Sequence, residues 1–233
     1  MSEFHFKQFS ICQDKCQMKV GTDGVLLGAW ANSEKTKLLD IGTGTGLISL
    51  MMAQRQPKAT ITAIEIDPLA AKQAEENCKK SIFEKQIRIV YSDLKSFEPS
   101  QKFDHIFCNP PFFKPNASTA NLKRMIARQT LSLDFETLLE KASNLLEESG
   151  IFSCIIPFES LVNFVELAKR NHLYLNRICQ IKGNENRPWV RSLLEFKTKE
   201  SSIISYSTLI IEKQRHVYSE EYTRLTEMFY LKM

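Results

Sequence analysis

Apolar and polar stretches alternate along this chain in an order that spells out its elements. Short apolar runs at 37–41, 60–65, 87–91, 103–108 and 151–156 read as buried strands. Helix-like stretches lie between them, at 47–55, 69–80, 135–147 and 159–170. Pro68 stands at an early helical position, Asp134 fits an N-cap, and Gly150 marks the end of the third helix. Strands alternating with helices predict an α/β fold with a parallel sheet covered by helices. After residue 171 the pattern changes to strand-like runs at 173–181, 190–197 and 207–211 without long helices. Short connections between such strands predict antiparallel pairing. Ahead of the sheet, 4–11 reads as a strand and 22–30 as an apolar helix with Thr22 at its N-cap.

No internal repeat, low-complexity tract or linker interrupts the pattern. The 233 residues fit one domain. Its parts are an N-terminal lid (1–36), a parallel α/β core (37–170), and antiparallel edge strands with a C-terminal tail (171–233). No apolar run approaches the 18 or more residues of a membrane span, and the N-terminus lacks a signal-peptide core. A soluble cytoplasmic protein is expected. Six cysteines show no zinc-like pairing, so no metal is expected, and they suit a reducing compartment. Cys108 and Cys154 sit in apolar strands and read as small core residues.

The candidate chemistry begins at Asn109-Pro110-Pro111-Phe112, directly after the run 103–108. Neither proline can donate to a sheet ladder, so the chain must turn at the strand's carboxyl end, where open α/β sheets place ligands. Asn109 offers an amide oxygen, Pro110 a stiffened carbonyl and Phe112 an aromatic face. Two acceptors and a stacking surface suit a planar group carrying an NH2.

A second motif, Asp40-Ile41-Gly42-Thr43-Gly44-Thr45-Gly46, joins a strand to a helix start. Glycines admit a ligand close to the backbone, and the helix N-terminus adds dipoles. The nicotinamide fingerprint has the different spacing G-x-G-x-x-G. Here the spacing is G-x-G-x-G after an acid, which repels pyrophosphate and suits a cationic ligand such as S-adenosylmethionine (SAM). Glu65, at the end of the second strand, is an acid placed to accept bonds from ribose hydroxyls, with Asp67 as its competitor.

Taken together, the glycine loop and the Asn-Pro-Pro-Phe tetrapeptide resemble those of the class I SAM-dependent amino-methyltransferases. The segments Phe6-Lys7-Gln8-Phe9, Met18 through Gly28, and Phe229-Tyr230-Leu231-Lys232-Met233 are similar to one bacterial group. That group methylates N6 of the adenosine 3′ to the anticodon, position 37, in a valine tRNA. The resemblance covers nearly the whole chain. It implies a Rossmann-like class I methyltransferase sheet, mostly parallel with an antiparallel C-terminal edge, with SAM as cofactor and a tRNA as partner; a monomer is expected. It implies a cofactor site of Thr22, Asp23, Asp40, Gly42, Thr43, Gly44, Gly46, Glu65, Asp93 and Asn109, with Asp93 at the adenine amine of SAM and Asp40 at its ammonium. It implies that Asn109, Pro110 and Phe112 orient the acceptor amine.

RNA contacts are expected at two places. Residues 105–133 contain no Asp or Glu but carry Lys114, Lys123, Arg124 and Arg128, a candidate phosphate-facing flap. Arg187, Trp189 and Arg191 in a probable loop form the second. Net charge is only +4, so the distribution matters more than the total. The same chemistry on another RNA or on a protein glutamine, or a non-catalytic SAM- or RNA-binding module, are the alternatives.

Overall fold

The computed structural model describes residues 3–16, 18–32, 34–111 and 134–232. Strands β1 (Glu3–His5) and β2 (Ser10–Cys12) and helix α1 (Thr22–Trp30) precede the main sheet. There follow β3 (Lys37–Ile41), α2 (Leu47–Arg55), β4 (Thr60–Glu65), α3 (Pro68–Lys79), β5 (Ile87–Tyr91) and β6 (Phe103–Cys108). The second half comprises α4 (Phe135–Leu145), β7 (Leu146–Pro157), α5 (Leu161–Arg170), β8 (Tyr174–Lys182), β9 (Arg191–Lys197) and β10 (Ser205–Ile210). A small hairpin, β11 (Glu212–Gln214) with β12 (Val217–Tyr218), and helix α6 (Glu220–Thr226) close the chain.

Eight strands form one sheet in the order β10-β8-β9-β7-β6-β3-β4-β5. The order reverses beside β3, where β4 lies on one flank and β6 on the other. That switch opens a crevice at the carboxyl edge. Successive side chains of a strand point to opposite faces, so each strand feeds two core layers. Leu38, Phe107, Ile155 and Leu193 pack with α1 and α2 on one face. Leu39, Ile106, Phe152 and Leu194 pack with α4 and α5 on the other. Helices α1 and α2 approach closely, since a Cβ added at Gly28 would lie 2.7 Å from Met51 Sδ. Cys108 and Cys154, neighbours in register, are buried among the strands as expected.

The sheet is mostly parallel with antiparallel pairings in its C-terminal part. β9 runs antiparallel to both β7 and β8. The outermost strand departs from the expected antiparallel pairing: β10 runs parallel to β8, with Ile210 opposite Lys182. β10 still runs opposite to β9, so the 198–204 connection stays at one edge of the sheet and passes the start of β8, which lies between the two strands.

Three local expectations are also corrected. Helix α4 stops at Leu145, and Gly150 lies inside β7 instead of capping the helix. The β6–β7 register jumps from Phe103↔Leu146 to His105↔Ile151, so β7 bulges there. A Cβ at Gly150 would come 2.7 Å from Leu146 Cδ2 and 2.9 Å from the Glu147 carbonyl, so only glycine fits the bulge. Gly21, in extended backbone, is the N-cap of α1, and Thr22 is its first helical residue. By contrast, Asp134 caps α4 as expected, accepting from the Thr137 amide at 2.8 Å.

The two ends of the chain hold each other. Phe6 bridges Tyr230, the Lys7 amide donates to the Phe229 carbonyl at 2.8 Å, and Phe229 is fully buried. The rings of Phe4 and Phe6 pack on Tyr230. The N-terminal lid is tied to α3 as well. Buried Asn77 accepts from the Cys12 amide and donates to the carbonyls of Cys12 and Thr45, each at 2.9 Å.

Candidate active site

A cavity of about 840 Å³ opens at the carboxyl edge of β3, β4 and β6. Its walls come from the lid (Cys16 to Gly24), the turn after β3, the ends of β4 and β5, and Asn109-Pro110-Pro111 after β6. The size falls in the range of small-molecule and cofactor sites.

The turn after β3 follows from its glycines. Gly42, Gly44 and Gly46 all have positive φ, at 69°, 58° and 84°, a region that disfavours side chains. Gly46 then serves as N-cap of α2. The backbone folds back on itself, and the Gly42 and Thr43 amides donate to the Ile64 carbonyl at 2.9 and 3.1 Å.

Asp40 sits beneath this turn, fully buried. Thr43 Oγ1 and Ser49 Oγ each donate to its Oδ2 at 2.7 Å. Its Oδ1 has no hydrogen-bond partner among the described residues. Burial pushes the carboxyl up to about 6, against the lowering effect of the two hydroxyls. Asp40 was expected at a ligand ammonium, directly or through water, and the structure sets its carboxylate beneath the turn. Asp40 does not line the cavity, because Thr43 and the turn lie over it.

Glu65 does line the cavity. Its Oε2 accepts from the Gly44 amide at 2.9 Å, and its Oε1 accepts from the amides of Ile66 and Asp67 at 2.9 and 3.0 Å. The carboxylate thus pins the glycine turn to the end of β4. Asp67, its competitor, lines the cavity as well, and its Oδ1 caps α3, accepting from the amides of Leu69 and Ala70. Asp93 has both characters. Its Oδ1 accepts from the Lys95 amide at 2.9 Å and caps a short 3-10 turn, while the residue also lines the cavity.

Asn109, Pro110 and Pro111 form the opposite wall. The side-chain oxygen of Asn109 is buried and has no hydrogen-bond partner among the described residues. An unsatisfied buried acceptor costs about 1–3 kcal/mol. It persists here at the wall of a cavity, where a ligand donor can meet it.

A model of the methyltransferase small domain matches residues 15–157, which hold the glycine turn, Glu65, Asp93 and the tetrapeptide. The tRNA1(Val) (adenine(37)-N6)-methyltransferase of Flavobacterium psychrophilum is 46% identical over 99% of this chain and 100% of its own length. The enzyme of the same name from Pseudoalteromonas translucida is 44% identical over 100% of both chains. The chain belongs to the tRNA1(Val) (adenine(37)-N6)-methyltransferase family. The fold agrees with that of a predicted O-methyltransferase from Agrobacterium tumefaciens, at a TM-score of 0.70 and 19% identity, over 89% of this chain and 96% of that one. The fold is that of the class I SAM-dependent methyltransferases.

Within this family member the cavity gathers Thr22, Asp23, Gly42, Thr43, Gly44, Glu65, Asp93, Asn109 and Pro110. Gly46 and Asp40 support it from behind. Phe112, Lys114, Lys123, Arg124 and Arg128 lie outside the described residues. The second RNA cluster is divided. Arg187 is exposed in the loop 183–190, whereas Lys182 Nζ lies 5.0 Å over the ring of half-buried Trp189. Arg191 opens β9 instead of belonging to that loop, and it lines the cavity. Its Nε donates to Asp23 Oδ2 at 2.7 Å.

Sequence reasoning missed this pairing, since 168 residues separate the partners. It also missed Ser49 beneath the turn and Asn77 behind it. Ser49 lies three residues after Gly46 on the buried face of α2, a visible but generic signal. Nothing in the sequence marks Asn77.

Proposed function

We propose that this protein transfers the methyl group of SAM to N6 of adenosine 37 in tRNA1(Val), as the names of its relatives state for them. The observation that carries the reading is the unpartnered, buried oxygen of Asn109 in the wall of the cavity that the glycine turn shapes.

The residues present fit SAM. In this reading Gly42 and Gly44 line the floor under its methionine end, with Thr22 and Asp23 of the lid opposite. Glu65 and Asp93 take its ribose and adenine. Asp40 supplies a buried countercharge under the turn, and its free Oδ1 is consistent with a cation nearby. SAM, when bound, supplies an electrophilic sulfonium methyl.

An exocyclic purine amine is a poor nucleophile, because its lone pair is delocalised into the ring. The Asn109 oxygen and the Pro110 carbonyl accept its two hydrogens and draw it toward tetrahedral geometry. Asn109 stays neutral and only accepts a hydrogen bond from the amine; the proton that the amine sheds as its nitrogen gains the methyl group passes to solvent. Phe112 fixes the plane of the base. Most of the acceleration is positioning and oriented dipoles. A pre-exposed loop base suits such a site, because a stacked base would first have to be splayed out.

No helix among the described residues is long and apolar enough to cross a membrane. We read the enzyme as a cytoplasmic monomer that needs no metal. The test supplies labelled SAM with total tRNA in one arm and a glutamine-bearing release factor in the other. Methyl incorporation into tRNA alone is expected. Incorporation into the protein would overturn the reading.

A further inference from the structure

We propose that the groove between the loop 183–190 and the β11–β12 hairpin is a second contact for the RNA substrate, taking backbone phosphates at a distance from the target base. The inference rests on the tRNA reading above; it keeps Arg187 of the expected loop contact and adds the β11–β12 hairpin with Arg215, which no sequence pattern pointed to.

The groove encloses about 510 Å³ and is walled by Asn184, Glu185, Asn186, Arg187, Lys213, Gln214 and Arg215. Its two sides are joined through the backbone: the Ile211 amide donates to the Lys182 carbonyl at 3.1 Å, and the Glu212 amide to the Gly183 carbonyl at 2.8 Å. The hairpin therefore grows from the end of β10 alongside the loop that leaves β8.

Charge in the groove is uneven. Lys213 is held by Glu220 at 2.7 Å, and Lys182 Nζ donates to the Glu185 carbonyl at 2.9 Å while lying over Trp189. Glu185 is the one acid in the wall. Arg187 and Arg215 are exposed and have no ion pair among the described residues. Two unengaged guanidinium forks flanked by the amides of Asn184, Asn186 and Gln214 present donors in the geometry that phosphate oxygens accept. An arginine–amide groove without an apolar floor suits a sugar–phosphate backbone better than a protein partner, whose interface would bury apolar anchors.

Position ties the groove to the active site. Pro157 and Ile181 both pair with Arg191, and Lys182 pairs with Ile210. The ends of β7, β8 and β10 therefore lie at the carboxyl edge that also carries Asn109 after β6. With strands about 4.8 Å apart, three to four strand spacings separate β6 from β8 and β10, roughly 15–20 Å. That span covers several nucleotides. A base inserted beside Asn109 leaves its own strand running along this edge, past Arg191, toward Arg187 and Arg215.

The test compares the wild type with Arg187→Ala/Arg215→Ala in filter binding of an unmodified valine tRNA transcript across a salt series. SAM affinity is measured alongside by calorimetry. The double variant should bind the transcript roughly tenfold more weakly, and the slope of log K against log salt should flatten by about 1.4–1.8. SAM affinity and melting temperature should match wild type. The single variant Arg215→Gln, at the exposed hairpin turn, keeps the test open should the double variant fold poorly, with about half the change in slope. A wild-type salt slope in a folded variant overturns the groove while leaving tRNA methylation intact. A wild-type enzyme that binds and methylates no tRNA removes the functional reading and the groove together.

Discussion

Arg191 Nε donates to Asp23 Oδ2 at 2.7 Å, joining the first residue of β9 to the first turn of α1 across the wall of the cavity. The lid helix is thereby tied to the far side of the sheet switch. Both side chains are about a third exposed, at 33% and 27%, so solvent screening limits the pair to about 0.2–1 kcal/mol of coupling. Asp23→Ala and Arg191→Ala should each raise the KM for SAM severalfold, and the double variant should be little worse than either. A double-mutant cycle in which the effects simply add would show that the two residues act independently.

Asn109→Ala should lower kcat by about 100- to 1000-fold, the typical cost of removing one oriented polar group at a reacting centre. SAM affinity should stay close to wild type, because in the proposed mechanism the missing oxygen meets the acceptor amine and not the cofactor. Single-turnover kinetics with calorimetry separates the two. A variant that keeps more than about a tenth of the wild-type rate would remove Asn109 from the mechanism.

Asp40 makes the apoenzyme pH-sensitive. Its folded-state value is raised from 3.8 to about 6, so the folded protein holds the proton more tightly than the unfolded chain. Stability of the SAM-free protein should fall as pH rises from about 3.8 to about 6 on account of this group, by roughly 3 kcal/mol in all. A cation bound over the turn favours the carboxylate, so SAM affinity should weaken below pH 6 and binding near pH 6 should release a proton. Asp40→Asn should melt no lower than wild type at pH 8 while binding SAM at least tenfold more weakly. Unaltered SAM affinity in that variant would leave Asp40 a purely structural acid.

Phe229→Ala should loosen both chain ends. Emptying a fully buried phenylalanine site costs about 3–5 kcal/mol. The Lys7 amide, which donates to the Phe229 carbonyl, should then exchange its hydrogen much faster. Wild-type protection at Lys7 would mean that the N-terminal hairpin holds without the tail.

The strands and helices of the core were legible because they are buried on both faces and so carry unbroken apolar runs. β3, β4 and β6 fall at their expected bounds for that reason, and β5, a partly exposed edge strand, does so because the polar segments on either side bound its run of Ile87, Ile89 and Val90. The bulge around Gly150 was not legible, because a glycine after a helix reads the same whether it ends the helix or relieves a crowded strand. The neighbour of β10 was not legible: it runs opposite to β9, but β7 and β8 already flank β9, so β10 pairs with β8 instead. In the site, the glycine turn, Glu65 and Asn109 stood out because their chemistry demands particular residues at a fixed spacing. Asp40 was placed on the right turn, but the hydroxyls of Thr43 and Ser49 on its Oδ2 were not legible, because they depend on how the turn folds over the strand end. Arg191 looked like a surface arginine beside Arg187 until the antiparallel register of β9 brought it to Asp23.

The most direct measurement maps the product. An unmodified valine tRNA transcript is incubated with the enzyme and SAM, digested to nucleosides and oligonucleotides, and read by mass spectrometry. A matched transcript with guanosine at position 37 serves as control. One methyl group per tRNA is expected, as N6-methyladenosine at position 37, and none on the control. Methylation of the control, a methyl group on another atom or nucleotide, or no transfer to either RNA would contradict the proposed function.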